Sequence, residues 1–183
     1  MTDTGCYLAA SKLLAEQKSV GRGRWVCSLD LPFDVIFDDT VHYSEICGLP
    51  MPRQSEGMCI KSGNKNVILY SPGWDIPHIN YTLAHEIGHI ILGHTGKDTD
   101  EAQANAFACA LLVHGAPLRA FTELCGRDAY GVSRFFGVSK SCARIALERS
   151  DIRTVYDDKI LCLYDERLRR FNNKNPLDIP FEL

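Results

Sequence analysis

The chain has 183 residues, of which 45% are hydrophobic and 23% are charged, and its net charge is -3. This composition is typical of a globular protein, and the slightly acidic balance argues against wholesale binding to nucleic acid or to a membrane surface. The apolar runs are much shorter than the roughly 20 residues of a membrane span. Because the N-terminus also lacks the pattern of a secretory signal, we expect a cytoplasmic protein.

The first predicted element is an amphipathic helix over residues 6–18, where the leucines and alanines fall near helical spacing. Residues 25–52 mix aspartates, prolines and short β-branched runs, and they predict no clear element. A β-hairpin is predicted over residues 57–70, because Met58–Lys61 and Asn66–Tyr70 are strand-like and the sequence "SGNK" between them is typical of a turn.

Two helices are predicted next, at about 77–93 and 99–114. In the first, Leu83, Ile87 and Ile90 form one apolar stripe, whereas His85 and His89 lie together on another face. The second is rich in alanine, and its small side chains would allow a close approach to the first helix. Glycines and prolines close both helices.

The remainder is predicted to form a helix-turn-helix-like segment over residues 116–150 and a C-terminal tail over 151–183. Gly137 provides the turn in this segment, and Ser139 is the expected N-cap of its last helix. In the tail, "KILCLY" is a strand-like run, and no compact structure is assigned there. Residues 1–115 are the expected core domain, with the helical segment packed on it.

The eight cysteines contain no C-x-x-C pair, whereas structural zinc sites and redox motifs use closely spaced pairs. An even number of cysteines would suit disulfides in a secreted chain, but without a signal peptide we expect reduced thiols. Cys109 lies in the alanine-rich helix and is expected to pack as a small apolar side chain.

The sequence "HEIGH", from His85 to His89, predicts a metal site with hydrolytic chemistry. Two histidines four residues apart on a helix can bind one zinc ion, and Glu86 between them can accept a proton from the zinc-bound water that attacks a carbonyl. A solvated surface helix and a closed structural zinc site are the alternatives. The apolar back of the helix disfavours the first, and the carboxylate of Glu86 disfavours the second.

A hydrolytic zinc ion needs a third protein ligand, and two residues are candidates. His94 is out of register with the pattern H-E-x-x-H-x-x-G-x-x-H, because Leu92 and Thr95 occupy the required glycine and histidine positions. Glu101 begins the second helix, where it could also form a capping box with Asp98. We favour Glu101 as the ligand, since Asn105 one turn later could hold the outer nitrogen of a zinc-bound histidine.

"HEIGH" followed by "EAQANAFACALL" resembles the ImmA/IrrE family of metallopeptidases. The resemblance implies an α+β, mostly helical, zincin-like core with a small antiparallel hairpin beside the zinc helix. It also implies one zinc ion bound by His85, His89 and Glu101, with Glu86 as the catalytic base. Substrates in that family are helix-turn-helix repressors, whose cleavage derepresses mobile-element or stress genes.

Three further histidines, His78, His94 and His114, are expected to be cleft residues. Either strand of the hairpin could be an exposed edge that takes up an extended peptide. The segment 127–149 has five basic and two acidic residues, but a packed helical pair is favoured over DNA binding. A zinc-containing, non-proteolytic repressor-binding or sensor protein is the alternative function, and the presence of Glu86 argues against it.

Overall fold

The computed structural model describes residues 3–20, 25–48, 56–96 and 99–172. In chain order the elements are helix α1 (Asp3–Glu16), a 3-10 turn (Trp25–Ser28), strand β1 (Val35–Asp39), helix α2 (Thr40–Cys47), strands β2 (Gly57–Ser62) and β3 (Lys65–Tyr70), and helices α3 (Ile76–Ile91), α4 (Asp100–Leu112), α5 (Gly115–Cys125), α6 (Ala129–Phe136), α7 (Lys140–Glu148) and α8 (Asp157–Asn172). The predicted α+β, mostly helical fold class is confirmed.

The predicted hairpin is confirmed, and it belongs to a three-stranded sheet in the order β1-β3-β2. β2 pairs antiparallel with β3, whereas β1 pairs parallel with β3 on its other side. Among the described strands, β2 lies at an edge of the sheet, whereas β3 is central and buries Val67, Ile68 and Leu69. The possibility that Asn66–Tyr70 is the edge was therefore wrong.

The core is formed where α4 passes between α1 and α3. α4 buries almost its whole length, including Ala104, Phe107, Ala108 and Leu111. The close approach of α3 and α4 centres on Gly88: a Cβ at this glycine would lie 3.0 Å from Phe107 Cδ1 and 3.4 Å from the Ala104 backbone. The glycine of "HEIGH" thus lies in tight packing against α4, and the prediction that small side chains bring the two helices together is confirmed.

The segment after α4 has the predicted helix-turn-helix outline in α6 and α7. Gly137 adopts a left-handed conformation with φ 69°, and Ser139 caps α7 by accepting a hydrogen bond from the Cys142 amide. Its cations are partly engaged within the chain: Arg127 donates to the Leu147 carbonyl, Arg149 pairs with Asp3, and Lys140 lies over a tyrosine ring. These contacts favour the packed helical pair, and DNA binding stays a disfavoured prediction.

The strand-like interpretation of "KILCLY" was wrong, because residues 157–172 form helix α8. Ile160, Tyr164 and Leu168 recur every four residues, and all three are buried. Asp157, at the start of α8, forms an ion pair with Arg119 of α5, which fastens the helix to the rest of the chain. The expectation that this part of the tail lacks compact structure was therefore also wrong for residues 157–172, whereas residues 173–183 lie outside the described part.

No disulfide joins any of the eight cysteines, all of which lie in the described part of the chain. Cys109 is 4% exposed within the core, which confirms its role as a small packed side chain. In the described residues no helix is both long enough and apolar enough to cross a membrane.

Candidate metal centre

Helix α3 presents the "HEIGH" residues from a firmly anchored position. Asp75 caps its N-terminus by accepting a hydrogen bond from the His78 amide, and Pro77 follows in the first turn, where a missing amide proton costs nothing. Ile79, Leu83 and Ile87 are buried on the core side of the helix. The opposite side of α3 therefore carries His85, Glu86 and His89, and all three line a cleft.

Helix α4 supplies the third potential ligand from its first turn. The two carboxylate oxygens of Glu101 lie 3.2 Å from His85 Nε2 and 3.3 Å from His89 Nε2. Thr99 occupies the N-cap position of α4 without a side-chain capping bond, and Asp98, the other half of the suggested capping box, lies outside the described residues. The Glu101 carboxylate thus faces the two histidines.

The donor atoms fit a metal ion. His85 Nε2 and His89 Nε2 lie 3.0 Å apart, and a carboxylate oxygen of Glu101 completes a group that could hold a cation. Tetrahedral zinc with bonds of about 2.0–2.1 Å separates its ligand atoms by about 3.3 Å. The observed separations of 3.0, 3.2 and 3.3 Å are close to this value. Two imidazoles and one carboxylate are also the donor set of hydrolytic zinc sites that keep one position open.

The outer nitrogens of both histidines are engaged. His85 Nδ1 lies 2.9 Å from Asn105 Oδ1, which also accepts a 2.9 Å hydrogen bond from the Tyr81 hydroxyl. His89 Nδ1 lies 2.9 Å from His94 Nδ1. These contacts orient the two imidazole rings so that their Nε2 atoms converge with Glu101. The expected contact between Asn105 and a histidine is thus present.

Glu86 lies on the cleft side of α3 but does not belong to the group of potential ligands. Burial raises the pKa of its carboxyl group to about 7, and the negative charge of Glu101 acts in the same direction. The pKa of His89 is lowered, first by burial and then by the charge of His85. A carboxyl group with a pKa near neutrality can exchange protons with a reacting molecule in the cleft.

The cleft has a volume of about 620 Å³ and is bordered by the two helices and by the start of β2. Glu56, Gly57, Met58 and Cys59 form the strand side of its wall. The pKa of Cys59 is raised by burial and by the charge of Glu86, which lies near it across the cleft. The edge strand and the potential metal site therefore border the same space.

The three predicted cleft histidines have different locations. His78 stacks on Trp74 with ring centroids 4.2 Å apart and lies 3.3 Å from the carboxylate of Glu56, which lines the cleft, but His78 itself does not line it. His94 contacts the outer nitrogen of His89 and does not line the cleft either, so the prediction was wrong for both residues. The prediction for His114 was wrong, because it is fully buried at the N-cap of α5, where Nδ1 accepts a hydrogen bond from the Ala116 amide.

Tyr81 was not singled out from the sequence. It lies one helical turn before His85, so its hydroxyl reaches the same amide of Asn105 that holds the histidine. Burial raises the pKa of Tyr81 to about 12. The spacing of four residues on α3 was the available signal, since a tyrosine at this position must lie on the histidine face.

The model of the IrrE N-terminal-like domain of peptidase family M78 matches residues 50–148, which is more than half of the chain. The matched range includes the hairpin, the potential metal ligands on α3 and α4, and the helices α5 to α7. α1 precedes this range and α8 follows it. No curated protein matches the chain.

Proposed function

The chain belongs to the IrrE N-terminal-like family of M78 metallopeptidases, and on this premise we propose that it is a zinc-dependent endopeptidase that cleaves a helix-turn-helix transcriptional repressor. The observation that carries the proposal is the convergence of His85 Nε2, His89 Nε2 and the Glu101 carboxylate beside the partly buried Glu86. A peptidase implies a protein substrate. The repressor is inferred from the resemblance of the "HEIGH" and "EAQANAFA" motifs to the ImmA/IrrE family.

We infer one zinc ion per chain, held by His85, His89 and Glu101. Zinc is favoured because two imidazole nitrogens and one carboxylate suit it better than magnesium or calcium, which prefer all-oxygen sites. When bound, the ion would act as a Lewis acid, lowering the pKa of a water molecule and polarising the scissile carbonyl. Asn105 and Tyr81 hold His85, so that its Nε2 lone pair points toward the other two ligands.

Glu86 is the proposed general base. As a carboxylate it accepts a proton from the water molecule that attacks the peptide carbonyl carbon, and as a carboxylic acid it then donates that proton to the leaving amine. Its raised pKa supports both roles, because a group with a pKa near the working pH can take up and release a proton at similar cost. The charge of a bound cation would lower this pKa from the value in the metal-free site.

The substrate would bind along β2. Because the amide of Ser71 donates to the Glu56 carbonyl, the antiparallel alternation turns the backbone groups of Met58 toward β3 and those of Cys59 and Lys61 outward. An extended peptide could pair with these groups and lie across the cleft in front of Glu86. Such a repressor substrate would place the enzyme in the cytoplasm, where the repressor binds DNA.

The test compares wild-type protein with Glu86→Gln on a purified helix-turn-helix repressor, using zinc-reconstituted samples. We expect both proteins to contain about one zinc ion per chain by elemental analysis, and only the wild type to generate defined fragments of the repressor. The matched control is Glu148→Gln, which removes an exposed carboxylate of α7 remote from the cleft.

A zinc-containing repressor-binding or sensor protein gives a different result. The wild type and the Glu86→Gln variant would then release the repressor from its operator equally well, and neither would produce fragments. That outcome would reject the peptidase while retaining the metal site. If wild-type protein bound no zinc, both functions would be rejected.

A further inference from the structure

His94 is the outer neighbour of the second ligand histidine. Its Nδ1 atom lies 2.9 Å from His89 Nδ1, and the two rings meet edge to face with centroids 4.8 Å apart and an interplanar angle of 77°. The contact is made on the side of His89 that faces away from His85 and Glu101. His94 lies outside the group of potential ligands and outside the cleft wall.

The connection between α3 and α4 fixes the place of His94. Gly93 and Gly96 have φ 66° and 87°, in the left-handed region that glycine adopts without steric cost. Between them, the His94 amide donates to the His89 carbonyl at 3.0 Å. The carboxylate of Asp100 accepts hydrogen bonds from the amides of Thr95 and Gly96, both at 3.0 Å.

Asp100 immediately precedes Glu101 in α4. The same helical turn that supplies the third ligand therefore also fastens the loop that carries His94. This arrangement connects the position of the His94 ring to that of the metal centre through a short, hydrogen-bonded segment.

One proton is shared between the two Nδ1 atoms when both rings are neutral. If the proton is on His94, then His89 carries its own proton on Nε2 and has no lone pair to offer a metal ion. If the proton is on His89, then His94 Nδ1 accepts the hydrogen bond and His89 Nε2 is free. Only the second tautomer leaves a lone pair on His89 Nε2 with which to bind a metal ion.

We propose that His94 is a positioning residue for the metal site: by accepting a hydrogen bond from His89 Nδ1, it selects the tautomer and fixes the ring orientation in which His89 Nε2 binds the metal. The inference rests on the proposed zinc site. His94 would thus orient His89 in the way that Asn105, itself hydrogen-bonded to Tyr81, orients His85. The Nδ1 atom of each proposed ligand histidine then donates a hydrogen bond to an acceptor on a neighbouring part of the chain.

The test uses three substitutions of His94. Asn carries an oxygen at about the place of the histidine Nδ1 and can accept the same hydrogen bond, whereas Leu and Ala cannot accept it. Zinc dissociation constants are measured on metal-free, folded full-length protein by competition with a chromophoric chelator, and circular dichroism checks folding. Loss of an outer hydrogen-bond partner of a ligand typically weakens metal binding about 10- to 100-fold.

We expect H94N to stay within about threefold of wild type and H94L and H94A to lose about 10- to 100-fold. H94A keeps the comparison valid if the larger leucine prevents folding. Wild-type affinity in both H94L and H94A would overturn the proposal. Equal weakening of all three variants would also overturn it, because an acceptor at this position would then be insufficient.

Cobalt substitution distinguishes a positioning residue from a ligand. At saturating Co²⁺ we expect the visible absorption bands of H94L and H94A to match those of wild type, because the donor set is unchanged. Altered band positions and intensities in these variants would identify His94 as a ligand and reject the proposal. Absence of zinc and cobalt binding by wild type would reject the proposed function itself, together with this inference.

Discussion

Gly57 of strand β2 lies directly against Thr82 of helix α3. A Cβ atom at Gly57 would stand 2.1 Å from Thr82 Cγ2, far inside van der Waals contact, and 3.2 Å from the Leu69 carbonyl oxygen. Thr82 is buried one turn before Glu86. This glycine therefore sets the distance between β2 and α3, which are two sides of the cleft.

Gly57→Ala should destabilise the protein. Alanine restricts the unfolded chain more than glycine does, and this effect alone would raise the free energy of unfolding by about 0.4–1 kcal/mol. The steric conflict with the buried Thr82 side chain lowers it by about 1–3 kcal/mol and dominates. Thr82→Ser removes the conflicting methyl group, so the double variant should regain most of the loss. Urea unfolding of the four proteins of this cycle measures the effect. If Gly57→Ala were as destabilising in the Thr82→Ser background as in the wild-type background, the assigned contact would be contradicted.

Cys59→Pro should weaken peptide binding at the edge strand. The Cys59 amide points outward, so proline removes a hydrogen-bond donor to the docked peptide without breaking the pairing of β2 with β3. One lost hydrogen bond of about 0.5–1.5 kcal/mol corresponds to a KM raised by about 2- to 12-fold. Steady-state kinetics with a repressor-derived peptide provide the measurement.

Cys59→Ala is the matched control for this proline, because it removes the thiol and keeps the amide. It should retain a KM close to that of wild type. An unchanged KM in the proline variant would reject strand pairing along β2, and a KM raised equally by alanine would assign the effect to the thiol.

Glu101→Gln should weaken zinc binding by more than the roughly 10- to 100-fold expected for a residue that only contacts a ligand. The amide keeps the size of the side chain but loses the negative charge that faces His85 and His89. Chelator competition measures the dissociation constant, with Glu123→Gln on the exposed surface of α5 as the control. If Glu101→Gln bound zinc as tightly as the control, the third ligand would have to be sought elsewhere.

The helices α3 and α4 were predictable because their sequence signals are local. Residues four apart on a helix share a face whatever the rest of the chain does, so His85, Glu86 and His89 could be placed together, and the two-residue turn at Gly63 revealed the hairpin. β1 was missed because it pairs parallel with β3, about thirty residues later, and parallel pairing leaves no turn signal. The contact of His94 was also not predictable, since it depends on a non-helical loop held by Asp100.

The error at α8 has a different cause. The run "KILCLY" is apolar and β-prone over six residues, but the spacing of Ile160, Tyr164 and Leu168 continues beyond it with a helical period. A longer window would have indicated the helix. His114 was misplaced because a histidine near a proposed catalytic site suggested a role in the cleft, whereas here it caps a buried helix start.

Ile160→Ala should destabilise the protein by about 2–4 kcal/mol, because it leaves a cavity at a fully buried position of α8. Val155→Ala is the matched control, since Val155 is 89% exposed just before the helix. In thermal and urea unfolding, the free energies of unfolding of the two variants should differ by nearly the whole loss expected for Ile160→Ala. Equal stabilities would mean that α8, which lies outside the matched family domain, is not part of the cooperative fold.

His114 should make the protein less stable as the pH falls from about 6.5 to about 4. Burial lowers the pKa of His114 to about 4, whereas an unfolded histidine titrates near 6.5. Between these values the unfolded state binds a proton that the folded state does not, so folding stability is lost on acidification, by on the order of 3 kcal/mol over the whole window. Above about pH 6.5 both states are neutral and the contribution is constant.

His114→Asn tests this prediction, because the asparagine oxygen can still cap Ala116 but the side chain does not titrate. Urea unfolding from about pH 7 to about pH 4.5 should show a smaller loss of stability for the variant than for wild type, since the carboxylates contribute equally to both curves. His42→Asn is the control with the opposite sign. In the wild type the hydrogen bond to Asp38 raises the pKa of the exposed His42, so protonation of His42 in acid favours the folded state, and the variant loses this contribution. Parallel curves for wild type and His114→Asn would show that His114 does not titrate differently in the folded and unfolded states.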